Sequence, residues 1–161
     1  MRIQKQIQLN CDINSAWQAL AHDCAAIDQW FAPVQRSYAL DTQPALKGAA
    51  CAGRVCELGK NAGGAKAIEK ITEWDEQHKV LAFDVQLQDA PALLPIRGSS
   101  ARFYLRETEG AKLTLYIDVR PKFKAHAYLL YPLLLLGLNK SFNDLLKAFK
   151  AHVEQPLAAP V

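Results

Sequence analysis

Arg54 and Glu69 are the opposite charges whose positions point most directly to chemistry. Each falls in a strand-like stretch, "GAACAGRVCEL" (48–58) and "AKAIEKITEW" (65–74), and the turn-forming "NAGG" (61–64) lies between them. Strands joined in this way can be neighbours. Turned inward, the pair offers a guanidinium to a carbonyl or a carboxylate at the base of a pocket. Turned outward, it is a solvated ion pair that contributes little. Burying it is unfavourable unless its hydrogen bonds are satisfied. His126, followed by Tyr128 and Tyr131, precedes a long apolar helix. Histidine is a common general base, although a surface histidine beside Lys122 and Lys124 is the commoner outcome. Tyr104, Tyr116 and Arg102 share a polar strand face, and would orient a phenolic ligand inward or cover the surface outward. Asn139 is the clearly polar residue near the apolar face of the long helix, and a buried amide there needs a partner, in the core or on a ligand. His22, His78 and His152 fall at helix ends or turns.

The spacing also excludes several chemistries. Cys11, Cys24, Cys51 and Cys56 lack metal-ligand spacing, and Cys51 and Cys56 point to opposite faces of one strand. They read as reduced, apolar fillers, and no metal or cofactor is expected. There is no phosphate-binding glycine loop, no Gly-x-Ser-x-Gly elbow, and no triad order.

The elements that must position these residues follow from periodicity. Ile3, Ile7 and Leu9 alternate on one face of a first strand. Asp12 or Asn14 can cap a short helix bearing Trp17 and Leu20. "CAAIDQWF" (24–31) reads as a second short helix, stopped by Pro33. Strands are expected at 34–40, 48–58, 65–74, 79–87, 100–107 and 111–119, with an apolar loop, "DAPALLP" (89–95), before the last pair. Thr108, Glu109 and Gly110 suit a three-residue hairpin loop. That loop sets Leu105 opposite Leu113, Phe103 opposite Leu115 and Ala101 opposite Ile117, with Tyr104 opposite Thr114. After a short turn or helix at 122–130, Leu135, Leu138, Phe142, Leu145, Leu146, Phe149 and Val153 recur at helical spacing. A helix over 131–154 would be about 35 Å long.

The chain has 161 residues, half of them hydrophobic and 22% charged, and a net charge of +3. This fits one domain over residues 1–155 with a tail at 156–161, and gives no footprint for nucleic acid. "MRIQKQIQLN" has no apolar run after its charges, so no secretory signal is read and the cytoplasm is the expected location. "YLLYPLLLLGLN" (128–139) is about a dozen residues, short of the roughly 20 a spanning helix needs. It reads as a buried helix segment.

An α+β fold results: a curved antiparallel sheet of about six to seven strands around a long C-terminal helix, with two short helices after the first strand. "INSAWQAL" (13–20), "IDQWFAPV" (27–34), "KGAACAGRV" (47–55), "EKITEWDEQHKVLAF" (69–83) and "KSFNDLLKAFKAHVEQ" (140–155) carry a resemblance to the START-like, or SRPBCC, superfamily of helix-grip folds, and within it to the polyketide cyclase/dehydrase-like group. The resemblance implies a cavity between sheet and closing helix that holds a lipid, a polyketide or another mostly apolar molecule. Residues expected on or at the rim of that cavity are Trp30, Phe31, Phe83, Phe103, Leu115, Ile117, Tyr131, Leu135, Asn139 and Phe142. Catalytic candidates are Arg54, Glu69 and His126. The expected function is a carrier or binding protein for a hydrophobic small molecule. The alternatives are a cyclase, aromatase or dehydratase using polar groups in the cavity, and a protein-interaction domain with a filled core. Monomer and homodimer are both compatible with the sequence.

Overall fold

The computed structural model describes residues 1–59 and 63–155. The 156–161 tail, and Asn61 and Ala62 of the expected 61–64 turn, lie outside the described residues. Seven strands, β1 (Ile3–Leu9), β2 (Val34–Ala39), β3 (Gly53–Leu58), β4 (Lys66–Asp75), β5 (Val80–Gln88), β6 (Ile96–Thr108) and β7 (Lys112–Phe123), form one antiparallel sheet in the order β1-β7-β6-β5-β4-β3-β2. Helix α1 (Ile13–Trp17) continues through a π turn to His22, and a 3-10 helix spans Cys24–Gln29. A second 3-10 helix, Ala125–Leu130, leads into α2 (Tyr131–Val153). The expected order of elements is therefore the observed one.

Alternation sets the core face. Leu81 and Phe83 of β5, Phe103 and Leu105 of β6, and Leu115, Ile117 and Val119 of β7 are buried together with Trp17, Leu146 and Phe149. Residues two apart on a strand share a face, so these strands present one apolar surface to the helices. Irregularities at Val34/Arg36, Ile71/Glu73 and Ile96/Gly98 bend the strands and curl the sheet. Asp12 caps α1 by accepting from the Ser15 amide at 2.9 Å. The Cys24–Gln29 helix is tied to β2, where the Ser37 amide donates to Asp28 at 3.0 Å and the Ser37 hydroxyl to the Ala25 carbonyl at 2.5 Å.

Helix α2 is held from its C-terminal end. Lys150 donates to the Gln8 carbonyl and Glu154 accepts from the Asn10 amide, each at 2.7 Å, beside β1. Leu146 and Phe149 are its fully buried residues.

Three expectations need correction. The β6–β7 hairpin pairs Thr108 with Lys112, Leu105 with Leu115 and Phe103 with Ile117, two residues away from the expected register. A shift of two keeps every side chain on its face, so hydrophobic pattern cannot detect it. The turn decides instead: Gly110 and Ala111 both adopt positive φ, +84° and +58°, which moves the loop to 109–111. The expected strand 48–58 is a strand only from Gly53. The third correction concerns 128–139. Leu129, Leu133 and Leu136 are 87%, 68% and 70% exposed, and Tyr128 is 78% exposed. Leu134, Leu135 and Leu138 are half-buried, so only one face of this stretch is covered and apolar composition did not bring burial to the other.

Gly53 is the backbone position on which the β3–β4 approach depends. Its φ is +154°, and a Cβ at this position would lie 2.0 Å from the Glu69 carbonyl oxygen. Gly53→Ala is expected to destabilise by about 2 kcal/mol, from overpacking together with strain. A urea midpoint equal to the parent's would refute this.

Candidate ligand-binding site

On β3, alternation sends Arg54, Cys56 and Leu58 toward the helices. Glu69 stands directly opposite Arg54 across the β3–β4 ladder. Phe83 and Val85 of β5 and Ala101 and Phe103 of β6 continue the same wall. Ile27 and Phe31 close one side, and Phe142 and Leu145 of α2 form the roof. The cavity is partly open to solvent and measures about 380 Å³, within the roughly 300–1,000 Å³ typical of small-molecule sites. Pro33 and Ser141 are its exposed lining residues, and Asp144, also on its lining, is paired with Lys140 at 2.5 Å. A smaller neighbouring pocket of about 70 Å³ shares Val85, Ser99 and Phe142 with the cavity, and is also lined by Leu138, Ile96 and Pro121.

Arg54 is the polar centre of this wall and is 7% exposed. Its Nε donates to Glu69 Oε2 at 2.8 Å, and its Nη2 lies 2.7 Å from the same oxygen. Nη1 donates to the Cys24 carbonyl at 2.6 Å, which ties the 3-10 helix to the sheet. The guanidinium also stacks on Phe83, 4.9 Å from the ring centroid. Burial is the largest single influence and pulls the arginine pKa down, but the Glu69 charge and hydrogen bond, together with Cys56 and Cys24, hold the group above its ordinary value. A guanidinium has five N–H donors, so capacity remains for an oxygen of a guest. Burial pushes the Cys56 thiol up to about 12, so at neutral pH the cavity wall carries a thiol there and no thiolate nucleophile. Cys24 is likewise raised by burial to about 12.

No family model matches the sequence, and no curated protein matches it. Solved structures match over nearly the whole chain. A START superfamily protein from Mycobacterium smegmatis superposes with a TM-score of 0.71 at 14% identity, covering 96% of this chain and 97% of that one. The Zhui aromatase/cyclase from Streptomyces sp. R1128 does so at 0.70 and 15%, covering 100% and 99%. The ginseng major latex-like protein 151 from Panax ginseng gives 0.65 and 12%, covering 96% and 97%. The chain has the START-like helix-grip fold. Identities this low carry the fold alone.

Within the START-like cavity, Phe31, Phe83, Phe103 and Phe142 stand on the wall with Arg54 and Glu69. Trp30 and Leu115 border a small space of about 20 Å³ next to it, where Trp30 meets Phe149 edge-on at 5.4 Å. Ile117 is on the correct face but packed into the core. Leu135 and Asn139 are not part of the wall: the Asn139 amide donates back to the Leu135 carbonyl at 2.8 Å, one helical turn away. Tyr131 and His126 are exposed and stand off the cavity. Tyr104 and Tyr116 stack on each other at 4.9 Å on the outer face, with the guanidiniums of Arg102 and Arg106 over Tyr104. Among the described residues, no cluster of three or more His, Cys, Asp or Glu could hold a metal ion. Sequence reasoning missed Cys56, Ser99, Ala101 and Leu145. Period-two extension from Arg54 and Phe103 would have found the first three.

Proposed function

We propose that this domain binds a mostly apolar small molecule with one oxygen-bearing end, as a carrier or binding protein. The observation that carries the reading is a hydrogen-bonded Arg54–Glu69 pair set in a mostly apolar cavity of about 380 Å³, whose other polar lining residues are Ser99, Ser141 and Asp144. Apolar walls supply affinity through area removed from water, and one convergent polar group orients the guest. A carbonyl, hydroxyl or carboxylate oxygen facing Arg54 would accept its remaining N–H groups. Lipids, polyketides and aromatic acids all meet this description. The proposed setting is the cytoplasm, where the thiols at Cys11, Cys24, Cys51 and Cys56 stay reduced.

One observation favours a second reading, a cyclase or aromatase-type enzyme. A guanidinium on the wall could polarise a guest carbonyl and stabilise a developing enolate. Binding is preferred because no histidine lines the cavity and the Cys56 thiol is raised away from neutrality.

The test is native mass spectrometry of the purified chain, together with titration of an apolar naphthalene fluorophore and of long-chain fatty acids. Ala101→Phe fills the wall, and is expected to weaken fluorophore binding at least tenfold while the fold is retained by circular dichroism. Equal binding by the filled variant would refute the cavity as the site. Turnover of a poly-β-keto substrate, lost in a folded Arg54→Met/Glu69→Leu variant, would favour the enzyme.

A further inference from the structure

Large exposed apolar side chains are concentrated in one region of the surface. Tyr128, Leu129, Leu130, Tyr131, Leu133 and Leu136 lie on the 3-10 helix Ala125–Leu130 and on the first turns of α2. Leu93, 86% exposed, belongs to the same patch. Its loop is bonded to the start of that 3-10 helix: the Lys124 amide donates to the Pro95 carbonyl at 2.8 Å, and the Lys124 ammonium to the Ala92 carbonyl at 3.3 Å. A contiguous oily patch of this kind marks an interaction surface rather than ordinary surface scatter.

The charge around the patch says what covers it. From Val119 to Asn143 the chain has no Asp or Glu, and it has none from Ala90 to Arg106. These segments carry Arg97, Arg102, Arg106, Arg120, Lys122, Lys124, His126 and Lys140. Lys122 is paired with Asp84 and Lys140 with Asp144, while Arg97 and Lys124 have no carboxylate partner among the described residues. The positive end of the α2 dipole lies at the same place. Two copies of the chain meeting here would set cations against cations, which disfavours a dimer seam. A layer of anionic headgroups over hydrocarbon matches both features. Tyrosines suit its interface, leucines its acyl boundary, and the basic rim its charge.

We propose that this patch docks on the surface of an anionic lipid bilayer, with the N-terminal half of α2 lying in the interface. Among the described residues, no helix is long and apolar enough to cross a membrane, and the proposed contact is peripheral. Leu138, in this half of α2, lines a small pocket that shares Phe142, Val85 and Ser99 with the main cavity. The docking surface adds to the cavity reading and does not depend on it.

The test is flotation of the full chain with vesicles of phosphatidylcholine alone, and with vesicles rich in phosphatidylglycerol. The expected result is flotation with the anionic vesicles, reduced by added salt. Leu129→Ser/Leu133→Ser/Leu136→Ser replaces exposed residues only, so the triple variant should melt with the parent and bind the cavity fluorophore unchanged. Its vesicle partition is expected to fall at least tenfold. Arg97→Gln/Lys124→Gln should lose the preference for anionic lipid. Failure of the parent to float with either vesicle overturns the proposal. So does a parent dimer that the triple variant abolishes, which would make a second copy the occupant. Flotation by a chain that takes up no fluorophore would keep the docking surface and remove only the guest.

Discussion

Arg54→Met is expected to lower stability by about 3–5 kcal/mol, the range for removing one member of a buried pair. The substitution leaves the Glu69 carboxylate and the Cys24 carbonyl without the donor that now satisfies them. It also releases the Cys24–Gln29 helix from β3. The measurement is the urea midpoint at constant slope. Glu69→Leu strands the guanidinium instead and should lose a comparable amount. The double variant Arg54→Met/Glu69→Leu removes both charges and is expected to regain most of the loss, since well-packed apolar groups can replace a buried pair at little cost. Additive losses in the double variant would show that the pair does not act as a unit. The double variant also separates stability from recognition. It should still accept an apolar fluorophore but lose any preference for guests with a carboxylate or carbonyl end.

Phe149→Ala is the second large effect, at about 3–5 kcal/mol for a buried phenylalanine. Phe149 is 1% exposed, meets Trp30 edge-on, and with Leu146 forms the buried contact of α2 with the core. Losing it should free the helix before the sheet. Hydrogen exchange is expected to quicken along α2 while β6 and β7 keep their protection. By contrast, Leu133→Ala, on the exposed half of the same helix, should change stability by no more than about 0.5 kcal/mol. Unaltered exchange in α2 of the Phe149 variant would place the helix's anchor elsewhere.

Much of this arrangement could be read from residue order. Period-two alternation identified the inward faces of β5, β6 and β7, and with them Phe83, Phe103 and Leu115. The three- and four-residue recurrence from Leu135 to Val153 located α2. What could not be read depends on distances the pattern does not encode. On β3, Gly53, Arg54, Val55 and Cys56 are all buried, so alternation of polarity gives no sign for the inward face of Arg54. The β6–β7 register turned on Ala111, a non-glycine residue at positive φ that nothing in its type announces. Leu129, Leu133 and Leu136 match a buried helix in composition, but burial depends on which face of the stretch is covered. Asn139 was ambiguous for a local reason, since its amide found a partner one turn back along its own helix.

The pairing of β1 with β7 has a consequence for synthesis. Ile3 lies against Val119, and Arg2 bonds Asp118 across 116 positions of sequence. As the polypeptide emerges from the ribosome, the first strand has no ladder partner until most of the chain has been made. The apolar side of β1 is then open to chaperones or to neighbouring nascent chains, and closure of the sheet follows translation rather than accompanying it.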